Sequence, residues 1–449
     1  MPHLESMQKD NPLVSVVVVN LDGLRFLGGL METLHAQDYE PFEIIMVDNG
    51  SVDDSVSFVR ERFPRVRVVE LSDNVGFAQG NNLGIEKAKG RYVALINNDT
   101  LVDPSWLRHL VTEARASHEI GAVCSKILFA RPFLSVRFEV PALTPADLGM
   151  SHDDRALGMV VAVESSFDGC SYHKPIYRSG FYPAEAIDGR EGCWTGPNAM
   201  LDLPIERPDE AATLKLQING GQLPGPREAT IAVGDRMLTS VEVDGQWREY
   251  VVPVGEHIVR ENSFDIINNA GSDFSENGSA RDRGIFEVDR GQFDAGEDVG
   301  AFCGCSVLFS RDALENVGLF DRDYFAYFED IELSWRLKKN GYRLHYQPAS
   351  VVRHYHASTT GEWSPSFTFL VVRNRILMLL KHANPLIAAQ AYIEETLRFL
   401  RALAAGSRRI QPGRIDVTRQ ELRTRLRIQL SLLRQAPKAL LKRAGLLPH

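Results

Sequence analysis

Three apolar runs rich in β-branched residues constrain the fold of this chain most: VSVVVV at 14–19, FEIIMV at 42–47 and YVALI at 92–96. A strand that is apolar along its whole length is buried on both faces, which is the condition of a parallel sheet. Parallel neighbours need a crossover connection, and helical patterns follow at about 24–36, 54–62 and 77–89, the last closed by Gly90. A further strand is expected at 66–71, and Asp103-Pro104 reads as an N-cap with proline at the first helical position. The first 130 residues therefore predict an α/β fold with a mostly parallel sheet.

Beyond about residue 130 the periodicity changes. Between Thr213 and Val254 the segments TLKLQI, ATIAV, TSVEV and REYVVPV alternate and are separated by Gly, Pro and Asp turns. This pattern predicts an inserted antiparallel β-sandwich, placed at 165–290. The α/β signature returns near Val299, with a strand at 306–310, a helix at 329–340 closed by Gly341, and a strand at 342–345. From about Phe367 the chain reads as helical. There Thr418-x-x-Glu421 suits a capping box, and Leu422, Leu426, Leu430 and Leu433 form an apolar stripe, with Arg419, Arg423 and Arg427 on another face. The expected organisation is an α/β domain from 1–130 and 297–370, the insertion at 165–290, and a basic helical segment at 371–449.

The net charge of −9 is uneven: from Val371 onward sixteen Lys/Arg stand against four Asp/Glu. The basic segment is read either as the solvated faces of packed helices or as an interfacial helix on anionic lipid, where each basic residue contributes about 1 kcal/mol. Nucleic acid is not an expected partner, because the body is acidic and the tail lacks interleaved aromatics. No apolar stretch is long enough to span a bilayer, and the opening MPHLESMQKDNPLV has no leader pattern, so a cytoplasmic, peripheral inner-face location is expected. Five scattered cysteines predict free thiols and not a disulfide framework.

Chemistry concentrates where strands end. Asp48 follows the second strand and Asp99 the third, in Asn97-Asn98-Asp99. Ligands of open α/β sheets bind beyond the carboxyl ends of strands, and a nucleoside diphosphate there needs its charge neutralised by a hard divalent cation. Each acid alone also suits a turn or helix cap. The stretch 73–82, with Asn74, Gly76 and Asn81, offers glycine freedom before a helix N-terminus that favours anions, or simply an Asn/Gly turn. Glu329 and Asp330 open a helix after an aromatic run, where partial desolvation would tune a general base, or where the acids merely complement the macrodipole. His354 and His356 follow a short strand and are candidate metal ligands.

Taken together, VSVVVVNLDG, IIMVDNGSVDDS, DNVGFAQGNNLGI, YVALINNDT, GCSVLFSR, VGLFDRDYFAYFEDIELSWRLKKNGY and VVRHYHAST resemble the family 2 glycosyltransferases of the GT-A fold. The likeness is closest to the rhamnosyltransferase-like branch of bacterial polysaccharide biosynthesis. The resemblance implies a nucleotide-sugar donor, a glycan or lipid-linked acceptor, and a divalent cation, Mn or Mg. It implies that Asp48, with Asn20, Asp22 and Asn98, binds the nucleotide and that Arg373 lies near the diphosphate. Asp99, in a DxD-like motif that here begins with Asn97, would hold the metal with His354 or His356, and Asp330, with Glu329 beside it, would be the base of an inverting transfer. The β-rich insertion has no counterpart in the core family. A non-catalytic carbohydrate-binding or scaffold protein that kept the fold is a second reading. A nucleotidyltransferase is a third, although Asn20-Leu21-Asp22-Gly23-Leu24-Arg25 poorly matches the loop such an enzyme needs.

Overall fold

In the computed structural model, which describes residues 11–170, 173–275, 278–356, 364–406 and 415–447, the three apolar runs lie side by side. They are β1 (Val14–Asn20), β2 (Phe42–Asp48) and, beyond β3 (Arg67–Glu70), β4 (Tyr92–Asn97). β1 pairs in parallel with β2, from Val14↔Phe42 to Asn20↔Asp48, and with β4, ending at Val19↔Asn97. β3 extends the sheet in parallel beyond β2. Between the strands lie α1 (Leu24–His35), α2 (Ser55–Arg62) and α3 (Phe77–Lys87). Helix α1 buries Phe26, Leu27, Leu30, Met31 and Leu34, a stripe at helical spacing, against one apolar face of the sheet. After β5 (Thr100–Val102) and α4 (Trp106–Ala114), β6 (Ile120–Phe129) and β7 (Ser306–Ser310) join antiparallel, with β7 between β6 and β4. Trp106 is fully buried there, and its indole N–H lies 3.1 and 3.0 Å from the hydroxyls of Ser125 and Ser306.

The chain divides into two compact units. The first comprises residues 1–128, 268–285 and 291–449; the second comprises 129–267 and 286–290. The second unit starts at Phe129, well before the expected boundary at 165, because strand Phe133–Glu139 pairs with Arg190–Pro204 and with Arg227–Val233. The α/β unit resumes at Asn268, not at 297. The second unit is antiparallel, as its alternation requires, and among the described residues nine strands are hydrogen-bonded into one sheet. One core takes alternate residues from its strands: Leu134, Val136 and Phe138; Leu214, Leu216 and Ile218; Ala229, Ile231 and Val233.

In the first unit α5 (Arg311–Val317) and α6 (Glu329–Lys339) precede β8 (Arg343–His354), which antiparallel β5 joins at His354↔Thr100. Helix α7 (Pro365–His382) starts with Ser364 accepting from the Phe367 N–H at 3.1 Å and with proline in its first turn. Two more helices follow, α8 (Pro385–Gly406) and α9 (Ile415–Arg443). Thr418 lies inside α9 and not at its cap. The apolar stripe of α9 is also not its packed face. Ile428, Leu432 and Ala439 are buried, whereas Leu426, Leu430 and Leu433 are 44%, 48% and 64% exposed. Among the described residues no helix is long and apolar enough to cross a membrane.

Candidate functional site

Parallel pairing brings the polar ends of β1, β2 and β4 to one edge of the sheet. Strand order runs from β1 to β2 and β3 on one side and to β4 on the other, so this edge is the topological switch point. There Asn98 donates to the Asn20 side-chain oxygen at 2.9 Å, and Asn20 donates to Asp48 Oδ1 at 3.0 Å. Asp48, 3% exposed, also accepts from the Ser51 hydroxyl at 2.6 Å and from its N–H at 3.0 Å. Three of about four lone-pair positions on this carboxylate are thus used, and Oδ2 keeps one for a ligand. Gly23 is required here, because a Cβ would stand 2.2 Å from Asn98 Nδ2 and 2.3 Å from Asn20 Oδ1. Asp22, at φ +47°, accepts from the Val52 N–H at 2.7 Å and ties the loops after β1 and β2 together.

The 73–82 stretch is organised differently from an open anion site. Asn49 donates to Asn74 at 2.9 Å, and Asn74 caps the Gly76 N–H at 2.9 Å. The first N–H of α3, at Phe77, donates to the Phe325 carbonyl at 2.7 Å, and a Cβ on Gly76 would lie 2.4 Å from that oxygen. Asn81 is buried and donates to the Phe77 carbonyl of its own helix at 3.0 Å. This helix start therefore grips the loop that leads to Asp330.

On the β4 side, the backbone carbonyl of Asp99 accepts from the Tyr355 N–H at 2.9 Å, and Oδ1 lies 3.2 Å from His354 Nε2. Both residues are buried. The other ring nitrogen of His354, Nδ1, is 3.0 Å from Asn268 Oδ1, and Asn268 Nδ2 is 3.2 Å from His356 Nδ1. Among the described residues no three His, Cys, Asp or Glu side chains cluster as a metal cage. An oxygen and an imidazole nitrogen at this separation fit a cation of the Mg or Mn type, which takes few protein ligands and completes its shell with phosphate oxygens and water.

Asp330 opens α6 and accepts from the Gly304 N–H at 3.1 Å and from the Ile331 N–H at 2.8 Å. Gly304 adjoins Cys305, whose carbonyl accepts from the Asn97 N–H at 3.0 Å, so one short loop joins Asp330 to the β4 end. Burial pushes the Asp330 carboxyl up to about 6, with the charge of Asp282 adding to the rise. Glu329 is 5% exposed, and burial followed by the Asp330 charge raises its carboxyl well above the usual range. Glu329 is thus the more deeply buried member of the pair and Asp330 the partly exposed one.

Tyr327 and Phe328 approach this helix in left-handed backbone, at φ +67° and +68°. Such strain persists only where the surroundings enforce it. Asn374 enforces it by donating to the Ala326 and Tyr327 carbonyls at 2.8 and 2.6 Å. Arg373 is buried beside it, with its guanidinium 2.7 Å from Asn374 Oδ1, 3.3 Å from the Asp323 carbonyl, and over the Phe369 ring. These contacts hold Arg373 to the loop that approaches α6. Asn268 carried no sequence signal, and Gly304 carried only its place in the stretch GCSVLFSR; each acts here through a partner distant in the chain. The cysteines are free, and burial raises the thiols of Cys124, Cys303 and Cys305 far from reactivity.

Two family models match this chain: "Glycosyl transferase family 2" over residues 15–133 and "Glycosyltransferase like family 2" over 279–374. An uncharacterized glycosyltransferase of Haemophilus influenzae is 30% identical over 25% of this chain and 36% of its own length. The O-antigen biosynthesis protein RfbC of Myxococcus xanthus is 35% identical over 27% of this chain and 10% of its own. Glycosyltransferase GlyG of Streptococcus pneumoniae is 34% identical over 23% and 35%. This chain therefore spans about a third of the length of two of these relatives and a tenth of the third. Among solved structures, GalNAc-T7 with UDP, GalNAc and Mn2+ aligns over 96% of this chain and 57% of that one, at 12% identity and a TM-score of 0.46.

Proposed function

Because residues 15–133 and 279–374 belong to glycosyltransferase family 2, we propose that this protein transfers a sugar from a nucleoside diphosphate to an acceptor hydroxyl, with inversion, in the assembly of a cell-surface polysaccharide. One observation carries the reading: Asp48, Asp99 with His354, and Asp330 are tied into one edge of the sheet by Asn20, Asn98 and the 303–305 loop.

Asp48 Oδ2 accepts a hydrogen bond from the base or ribose of the donor. Asp99 and His354 would hold a divalent cation, which would supply positive charge against the diphosphate of the leaving nucleotide. Asp330, ionised, takes the proton of the acceptor hydroxyl, and the oxygen attacks the anomeric carbon from the face opposite the nucleotide, so that one C–O bond forms as the other breaks. The Gly304 N–H fixes the carboxylate while it does so. A rhamnosyl donor follows from the sequence resemblance. A thermal-shift panel of UDP-, GDP- and dTDP-sugars with Mn2+ or Mg2+ tests this: the donor raises the melting temperature in a metal-dependent way, and a panel without any such shift overturns the reading.

The second part of the proposal is an anionic membrane surface as the partner of α8 and α9. On α8 the small Ala388, Ala391 and Ala402 are buried, while the large Ile393, Leu397, Leu400 and Leu403 are 45–56% exposed. Leu426, Leu430 and Leu433 expose a similar ridge on α9, with Arg419, Arg423 and Arg434 exposed along it. A second copy would set arginines against arginines; an anionic bilayer complements both the ridge and its charge. The full chain is expected to sediment with phosphatidylglycerol vesicles, and Leu430→Gln with Leu433→Gln to release it. Equal binding to neutral vesicles, or no release, sinks this part.

A further inference from the structure

Asn268 lies outside both family-matched segments, 15–133 and 279–374, yet its side chain stands between the two histidines that the sequence offers as rival metal ligands. It is 4% exposed, in a short strand of the first unit, so its amide is held in place. An amide oxygen only accepts and an amide nitrogen only donates. Oδ1, 3.0 Å from His354 Nδ1, calls for a proton on that nitrogen. Nδ2, 3.2 Å from His356 Nδ1, calls for a lone pair on it. One amide therefore assigns both rings. Neutral His354 carries its proton on Nδ1 and turns the lone pair of Nε2 toward Asp99 Oδ1, 3.2 Å away. His356 has its Nδ1 lone pair committed to the amide and its proton on Nε2. Two acceptor atoms facing each other at that distance repel unless a proton or a metal cation lies between them.

We propose that Asn268 is a positioning residue that selects His354 over His356 as the metal ligand, by fixing the His354 tautomer and ring orientation from behind. This rests on the reading of Asp99 and His354 as the cation site. The opposite amide orientation would place a donor against His354 Nδ1, put the ring proton on Nε2, and turn the Asp99 contact into a plain hydrogen bond with no place for a metal.

Calorimetric titration of Mn2+ into the full chain, saturated with UDP or GDP, separates these outcomes, with nucleotide binding in EDTA as the baseline. Asn268→Leu is expected to weaken Mn2+ about 10–100-fold, the usual cost of losing a partner behind a ligand, and to leave the EDTA baseline unchanged. Asn268→Asp still accepts from His354 but cannot donate to His356, and is expected to stay within a few-fold of the wild type. His356→Gln is expected to bind Mn2+ as the wild type does. Thermal melting checks folding, and Asn268→Ala is read where Asn268→Leu does not fold. Wild-type Mn2+ affinity in Asn268→Leu overturns the inference and leaves the metal reading standing, as does an equal loss in Asn268→Asp, which marks a merely structural residue. A wild type that binds no Mn2+ with either nucleotide overturns both.

Discussion

A carboxyl group with a pKa near its working pH makes a better base than an ordinary one, and the surroundings of Asp330 supply that shift. Burial raises it to about 6, with Asp282 adding to the rise and the Gly304 and Ile331 N–H groups opposing it. Because the folded value is raised, the group is protonated and idle below about 6, and kcat/KM should climb with pH through that region. Replacing Asp282 by Asn removes a like charge and should move this acid limb to lower pH; an unmoved limb counts against the assignment. The stability sign is the reverse. Between the ordinary carboxyl range near 4 and about 6 the native protein keeps a proton that the unfolded chain has released, so the contribution of this group to stability falls as pH rises across that window. Asp330→Asn should keep donor binding and lose about 10²–10⁴-fold in turnover, the usual weight of a general base. Turnover in single-cycle assays that matches the wild type would remove Asp330 from the chemistry.

Among the elements, the C-terminal helix changed meaning most. The basic excess of 371–449 reads from sequence as one surface, yet the structure divides it. Lys438 and Lys442 of α9, with Lys381 of α7, enter an acidic cluster: Asp321 pairs with Lys381 and Lys442, and Asp323 pairs with Lys438 and, at 2.7 Å, with Lys442. Asp321, Lys381 and Lys442 are buried. These pairs pin two helices to the start of the loop that carries Tyr327, Phe328 and Asp330. Removing one member of a buried pair leaves a charge uncompensated, and Asp321 is the ion-pair partner of the buried Lys381, so Asp321→Asn should destabilise the protein by on the order of 3 kcal/mol. The exposed Arg434→Ala should stay within about 0.5 kcal/mol. Denaturant titration distinguishes the two, and equal effects would mean that the cluster does not clamp the helix. Outside this cluster, Arg419, Arg423 and Arg434 of α9 are exposed and open to a lipid surface.

At the scale of the whole molecule, the core around the parallel sheet and the core inside the nine-stranded sheet belong to different units and share no residue among those described. Such a chain need not unfold in one step. Scanning calorimetry is expected to resolve two transitions, of which only one, that of the unit with Asp48, Asp99 and Asp330, rises when Mn2+ and a nucleoside diphosphate are added. A rise in both, or in the other alone, would place the nucleotide elsewhere.

Local information carried the strands that end in Asn20, Asp48 and Asn97, because all-apolar β-branched runs have few alternatives to a doubly buried parallel strand. It also carried the antiparallel character of the insertion and the helix that begins at Glu329. It carried the end of the first α/β stretch near residue 130 but not the assignment of strand 133–139 to the second unit, because that strand is defined by partners some 60 and 95 residues away. Nor did it show that Arg373 packs against the loop at Asp323, that Leu426, Leu430 and Leu433 of α9 face outward, or that His354 stands beside Asp99. Those are questions of which side chains meet, and only the tertiary structure decides them. A histidine in a sequence is a candidate for several roles; the amide packed behind its ring selects one.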